Sequence, residues 1–386
     1  MITVSQDQVI RKTRVIFIDL IRAFAVFMMV QGHTIDALLS NEYRTGLNPL
    51  FNIWNFFRGL NAPIFIFTSG AAFTYLFLQK ELPFNENPRV SKGIKRFLLL
   101  LFLGYLIHIP TIFPSEFSKI STAQWLTFFK VDALQVIGVG ILSIIIVLYV
   151  VEKLKLNPYY TFLFLSIFVA LISHYTLKIE WANYLPLPIA LYFYYGPQNP
   201  DGIYTLFPIF PWLSYIFAGS FLGVFLAKHP KVYKTKWFGI KIILWGLLLI
   251  LTSLISIMIE NNVKGYNTFW ENPFLVFNRI GIVLVFSGII TLLTLRIDKI
   301  PRIVVLAGQN TLLIYIVHLM LVYGSPINLG LSYLFYRKLG PIEAVLFAIL
   351  VLFLMGLMVK ILDIIKPKYK ELKTQFLTNF KNKISN

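Results

Sequence analysis

Asp19, Arg22, His33 and Asp36 lie within one apolar run, RVIFIDLIRAFAVFMMVQGHTIDALL, from Arg14 to Leu39. By hydropathy this run is a membrane-spanning helix, and an ionisable side chain in hydrocarbon costs several kcal/mol. At helical periodicity Asp19, Arg22, Val26, Met29, His33 and Asp36 share an arc of roughly 100°. The charges therefore form a stripe that must face protein or water. The rise from Arg22 to His33 is about 16 Å, so the stripe is a path along the helix and not a point. An imidazole titrates near neutral pH, which suits it to proton transfer, as a base in an enzyme or a relay in a transporter. Read structurally, Asp19 and Arg22 at i and i+3 neutralise each other and His33 packs against a neighbour; four aligned ionisable groups weigh against that reading.

Further polar groups recur in later apolar runs. FFRGLNAPIFIFTSGAAF carries Arg58 and Asn61, then Pro63 and Thr68, Ser69 and Gly70. Pro63 frees a backbone carbonyl that needs a partner, and Arg58, at the depth of His33 and Asp36, is a partner for Asp36 or for a substrate. Gly70, Ala71 and Ala72 read as a close helix contact. AGQNTLLIYIVHLMLVYG brings Gln309, Asn310 and Thr311 in low, with His318 about 12 Å higher. His108 precedes Pro110 and reads as structural; His174 and His229 read as loop or interface residues.

The elements that must position these groups are membrane helices. The chain of 386 residues is 57% hydrophobic and 13% charged, about half the charge of a soluble domain at roughly 25%. Ten spans are expected, at 15–38, 52–79, 96–113, 132–151, 158–177, 203–227, 237–259, 273–295, 303–323 and 341–365. The expected fold class is all-α, a polytopic membrane helix bundle forming one domain over 1–386, with a basic N-terminus (1–14) and a C-terminal tail (366–386). With the N-terminus in the cytoplasm, that side receives 25 of the 35 Lys and Arg, the other side seven, and three lie within spans. That bias puts both termini inside. It also accounts for a net charge of +18 without nucleic acid; the lipid bilayer is the partner. No cysteine is present, which excludes disulfides, thiolate metal sites and a cysteine nucleophile.

The run Asp19-x-x-Arg22-x-x-Ala25-x-x-x-Met29-x-x-x-His33 resembles the first helix of integral-membrane acyltransferases. APIFIFTSG (62–70), LFPIFPWLSYIFAGSFLGVFLA (206–227) and GQNTLLIYIVHL (308–319) extend the resemblance over most of the chain. Together they look most like the branch containing the heparan-alpha-glucosaminide N-acetyltransferase catalytic domain and its bacterial relatives, with the acyltransferase-3 and sugar O-acetyltransferase families similar in the first helix. Two departures stand out. Ala23 replaces the usual Gly, and Leu134-Gln135-Val136-Ile137-Gly138 lacks the Arg of the relatives' L-Q-R-I-G.

The resemblance implies transfer of an acyl group, commonly acetyl, from cytoplasmic acyl-CoA to a sugar hydroxyl or amine across the membrane. The location it suggests is a bacterial cytoplasmic membrane. His33 would be the general base or an acyl carrier, with Asp36 or another carboxylate orienting it. Asn61, Asn310 and His318 would be donors to the thioester oxyanion. Arg14, Arg22, Lys95 and Arg96, with Asp19 beside Arg22, would serve the nucleotide end. The expected co-substrate is acetyl-CoA or another acyl-CoA with no metal; the acceptor is a glycan or small sugar, and a homodimer is left open. A secondary transporter or a lipid-linked glycan flippase would use the same intramembrane charges as a proton or substrate path, but no inverted repeat or large outer loop accompanies them.

Overall fold

The computed structural model describes residues 16–193, 205–264, 272–297 and 300–384. Arg14 and the rest of the basic N-terminus lie outside the described residues. The described chain is helical, with only isolated β-bridges. In order the helices are α1 (Ile16–Leu38), α2 (Pro49–Gly59), α3 (Asn61–Leu78), α4 (Pro88–Ile107), α5 (Thr122–Phe129), α6 (Ala133–Lys153), α7 (Pro158–Thr176), α8 (Leu187–Ala190), α9 (Ile209–Lys228), α10 (Lys236–Lys264), α11 (Phe274–Thr294), α12 (Arg302–Gln309), α13 (Thr311–Tyr323), α14 (Leu331–Phe335) and α15 (Pro341–Ile384).

Among the described residues eight stretches are long and apolar enough to cross a membrane, and α12 with α13 makes a ninth if the bent pair is one span. The protein is thus an all-α integral membrane protein. The expected third span, α4, is not among these stretches. α4 begins at Pro88 and carries Arg89, Lys92, Lys95 and Arg96 in its first half. Its 20 residues rise about 30 Å, the thickness of the hydrocarbon layer, with the basic side chains gathered toward one end where they can reach the headgroups. The expected ninth span is present but broken, its halves bent by 83°.

Local chemistry sets the helix ends. Two Asn-Pro pairs start α4 and α7: Asn87 and Asn157 accept from the backbone N–H two residues on, each at 3.0 Å, and the proline occupies the first helical position, where an N–H would have no partner. Asp132 starts α6 with a capping box closed by Gln135.

Contacts divide the chain into two compact units, Met1–Ile21 with Gly59–Asp298, and Arg22–Arg58 with Lys299–Asn386. In the larger unit α3 and α9 touch backbone to backbone. A Cβ on Gly219 would fall 1.9 Å from the Phe67 carbonyl oxygen, and one on Gly70 would fall 2.2 Å from that of Ile216. This is small-residue helix packing, needed where lipid gives no hydrophobic drive between helices. It accounts for the glycines of APIFIFTSG and LSYIFAGSFLG, as the closeness of Gly70, Ala71 and Ala72 led one to expect. α10 presents Leu244, Trp245, Leu247, Leu248 and Leu251 outward, a face suited to lipid.

The smaller unit is built around the second part of α1. Ile35 and Leu39 pack on Ala344 and Ala348 of α15, with Tyr43, Phe51 and Trp54 against them. Ala37 and Leu38 pack with Val322. The last carbonyls of α1 have no intrahelical partner. Those of Ala37 and Leu38 accept from the backbone N–H groups of Arg337 and Leu339, both at 3.0 Å, and Ser40 N–H donates back to Leu339 at 2.8 Å.

Candidate active site

Within the smaller unit, α1 presents His33 and Asp36 near its end, one helical step apart. His33 is half-buried, its Nδ1 lying 3.2 Å from the Tyr323 hydroxyl. The Tyr323 ring stands edge-on to the imidazole, with centroids 5.8 Å apart. On the same helix as Tyr323, His318 sets its ring 5.4 Å from that of His33. His318 is fully buried, and its Nδ1 lies 2.8 Å from the Ile314 carbonyl oxygen. A carbonyl only accepts, so His318 Nδ1 carries the hydrogen and Nε2 is the basic nitrogen of the neutral ring.

Asp36 turns to two guanidinium groups. Arg44 Nη2 and Arg58 Nη1 both donate to Oδ1 at 2.5 Å. Arg44 also donates through Nη1 to the Asp36 backbone carbonyl at 2.7 Å, which places a cation on the C-terminal end of α1, where the helix dipole favours it. Arg58 lies over the Trp54 ring at 5.5 Å and Arg44 over Phe51 at 5.8 Å. Trp54 Nε1 donates to Gln31 Oε1 at 2.8 Å, tying α2 to α1. Two cations share one carboxylate, so the cluster beside His33 carries surplus positive charge.

A second polar level sits at the helix break, eleven residues before His33 along α1. Arg22 Nη2 donates to Thr311 Oγ1 at 2.9 Å. Asn310 joins α12 to α13; its Nδ2 donates to the Leu306 carbonyl at 2.8 Å and its Oδ1 accepts from Lys366 Nζ at 2.9 Å. Arg302 and Asp363 form an ion pair at 2.7 Å between the same two helices, α12 and α15. Asn310 thus belongs with Arg22 and Thr311, while His318 belongs with His33, about 12 Å further along the helix.

The remaining expected residues lie in the larger unit. Asp19 is buried in the first turn of α1. Asn61 opens α3, and its buried Oδ1 takes no hydrogen bond from the described residues. Lys95 is exposed and Arg96 half-buried on α4. His108 lies 3.6 Å from Asp132, which fits its structural reading. Among the described residues no group of three or more His, Asp or Glu could hold a metal ion.

Arg44, Trp54, Lys366 and Tyr323 enter the site without having been singled out in the sequence. Arg44 follows Asp36 by eight residues, and an arginine so close to a buried-face carboxylate is a usable signal. No spacing rule pairs Tyr323 with a histidine 290 positions earlier.

The smaller unit thus carries a polar cluster around His33 at one level and a cationic group about 16 Å away along the same helix. Residues 14–259 match the family model described as heparan-alpha-glucosaminide N-acetyltransferase, catalytic, and the chain belongs to that family. Membership places it among membrane acetyltransferases. No curated protein matches the chain. The matched segment includes Arg22, His33, Asp36, Arg44 and Arg58 and ends before α12, so Asn310, His318 and Tyr323 stand outside it.

Proposed function

We propose that the protein transfers an acyl group, acetyl in the first instance, from cytoplasmic acyl-CoA to a hydroxyl or amine of a sugar on the extracytoplasmic side. The observation that carries this reading is that one helix holds both levels: Arg22 beside Lys366 and the helix break, and His33 with His318 and Tyr323. The rise between them is roughly the length of a pantetheine arm. The thioester can reach His33 while the nucleotide stays at the inner face. The Lys/Arg bias supports cytoplasmic termini, and a bacterial cytoplasmic membrane is the location we assign.

Arg22 and Lys366 would meet the phosphates of the acyl donor; they donate to neutral oxygens, Thr311 Oγ1 and Asn310 Oδ1, that a phosphate can displace. His33 takes the proton from the acceptor's O–H or N–H as that atom attacks the thioester carbonyl. The C–S bond breaks, and His33 returns the proton to the departing thiolate, so the imidazole ends as it began. Arg58, half-exposed and paired with Asp36 one helical step from His33, and His318 are the cationic and hydrogen-bonding groups that would meet negative charge developing on the carbonyl oxygen.

The test is acetyl-CoA consumption by the purified protein with sugar acceptors, read as free CoA thiol; the chain has no cysteine to add background. His33→Ala should lose about 10²–10⁴-fold in turnover, the range of general acid–base catalysis. His33→Gln should be as inactive, since an amide cannot take the proton. Wild-type turnover in His33→Ala would remove His33 as the base. A wild-type protein that consumes no acyl-CoA but moves a solute with proton coupling would replace the enzyme with a transporter.

A further inference from the structure

We infer that Tyr323, and not a carboxylate, is the residue that positions His33, its phenolic oxygen accepting the Nδ1–H so that Nε2 faces the acceptor as the basic nitrogen. The inference rests on the reading of His33 as general base. An imidazole used as a base at one nitrogen needs its other nitrogen held by an acceptor, which fixes the tautomer and steadies the imidazolium. Asp36, one helical step away, is the carboxylate expected in that place. Its Oδ1 is instead shared by Arg44 and Arg58, while the Tyr323 hydroxyl lies 3.2 Å from His33 Nδ1.

A neutral phenol suits this position. It both accepts and donates, and it adds no charge beside a cluster in which Asp36 already faces two arginines. Several charged or titratable groups surround the His33–Tyr323 pair. Asp36 comes from α1, Arg44 and Arg58 from the segment after α1 and from α2, His318 from α13, and Tyr336 from the turn after α14; the fields of Asp36, Arg58, Tyr336 and Arg44 all fall on the Tyr323 hydroxyl. The ring itself is held edge-on to His33. Tyr323 is the last residue of α13, and Gly324 follows at φ +90, a conformation that only glycine adopts without strain. The chain thereby turns away directly after the hydroxyl is delivered.

Tyr323→Phe removes the oxygen and keeps the ring. kcat should fall about tenfold or more, below the 10²–10⁴ of a lost base, because the imidazole remains but loses its orientation. KM for acetyl-CoA should stay within about twofold, since the nucleotide end lies about 16 Å away. The acidic limb of kcat/KM against pH, measured with a hydroxyl acceptor, should move to lower pH by roughly half a unit to one unit. An acceptor on Nδ1–H favours the imidazolium, and losing one neutral hydrogen bond is worth about that much. Thermal unfolding and CoA binding show that the variant is folded; Tyr323→Leu, which also lacks the hydroxyl, serves if Phe is not. A folded variant with turnover within twofold and an unmoved limb overturns the inference. A limb that moves to higher pH also overturns it, because Tyr323 would then donate to Nδ1 and hold the opposite tautomer. Active His33→Ala, or a wild type with no acyl-CoA turnover, removes the general-base reading itself and is seen in a separate arm.

Discussion

Neutralising Asp36 tests whether the cluster at the end of α1 is held by charge. Asp36 Oδ1 meets Arg44 and Arg58 at 2.5 Å each, with side-chain exposures of 25%, 16% and 34% respectively. Breaking a buried ion pair costs about 3–5 kcal/mol, and an exposed one about 0–1. With all three groups partly exposed, Asp36→Asn should cost about 2–3 kcal/mol, most of it from leaving two guanidinium groups near each other without their anion. Arg44→Gln, which leaves the Asp36–Arg58 pair intact but loses the backbone contact, should cost about 1–2 kcal/mol. The double variant should fall short of the sum by about 1 kcal/mol or more, because the two residues share one contact. The assay is denaturant-induced unfolding in detergent followed by tryptophan fluorescence, with Trp54 stacked beside Arg58 as a local reporter. Simple additivity within about 0.3 kcal/mol would refute the reasoning and make Arg44 a helix-end cap that acts independently of the carboxylate.

Arg22→Ala should weaken acetyl-CoA binding by about tenfold or more, the loss of one charge-assisted contact, with little change in unfolding; unchanged affinity by calorimetry would leave Arg22 as a structural partner only. Lys366→Ala should weaken it less, since that side chain is exposed, and an equal loss would move the phosphates toward α15. Gly219→Val places side-chain atoms where a Cβ alone would sit 1.9 Å from the Phe67 carbonyl; it should abolish folded protein on size-exclusion chromatography, and a monodisperse variant would contradict the α3–α9 contact. A single cysteine added at Asn386 of this cysteine-free chain should resist membrane-impermeant maleimide in intact cells. Labelling from outside would overturn the assignment of cytoplasmic termini.

Much of the helical architecture was legible because lipid imposes one simple rule, that a spanning segment be long, helical and apolar. The rule is least direct at α4, where four basic residues occupy the first half of a 20-residue helix and interrupt its apolar run. It could not see the break at Asn310, since GQNTLL holds no proline and Gly308 and Asn310 are only weak breakers. The polar stripe of α1 was legible from periodicity alone, and so was the common depth of Asp36 and Arg58. Asn310 resembles the family's oxyanion donors by motif, yet its rise below His318 sets it at the level of Arg22. Tyr323 was invisible for a different reason. A tyrosine at the end of an apolar helix reads as an interfacial anchor, and only the packing of α13 on α1 brings its hydroxyl to His33.

The partners of the α1 stripe are made at very different times during synthesis. Arg44 and Arg58 follow Asp36 by 8 and 22 residues, so Asp36 can be neutralised almost as soon as the first two spans enter the bilayer. Thr311 follows Arg22 by 289 residues and Tyr323 follows His33 by 290. At ribosomal rates of about 5–20 residues per second, those side chains wait roughly 15–60 s for their hydrogen bonds. The carbonyls of Ala37 and Leu38 wait still longer, for Arg337 and Leu339. The first helix is therefore inserted early and completed last. A chain cut short after α11 would lack the Thr311 and Tyr323 contacts of Arg22 and His33, so the polar stripe of the first helix depends on the last third of the chain for its completion.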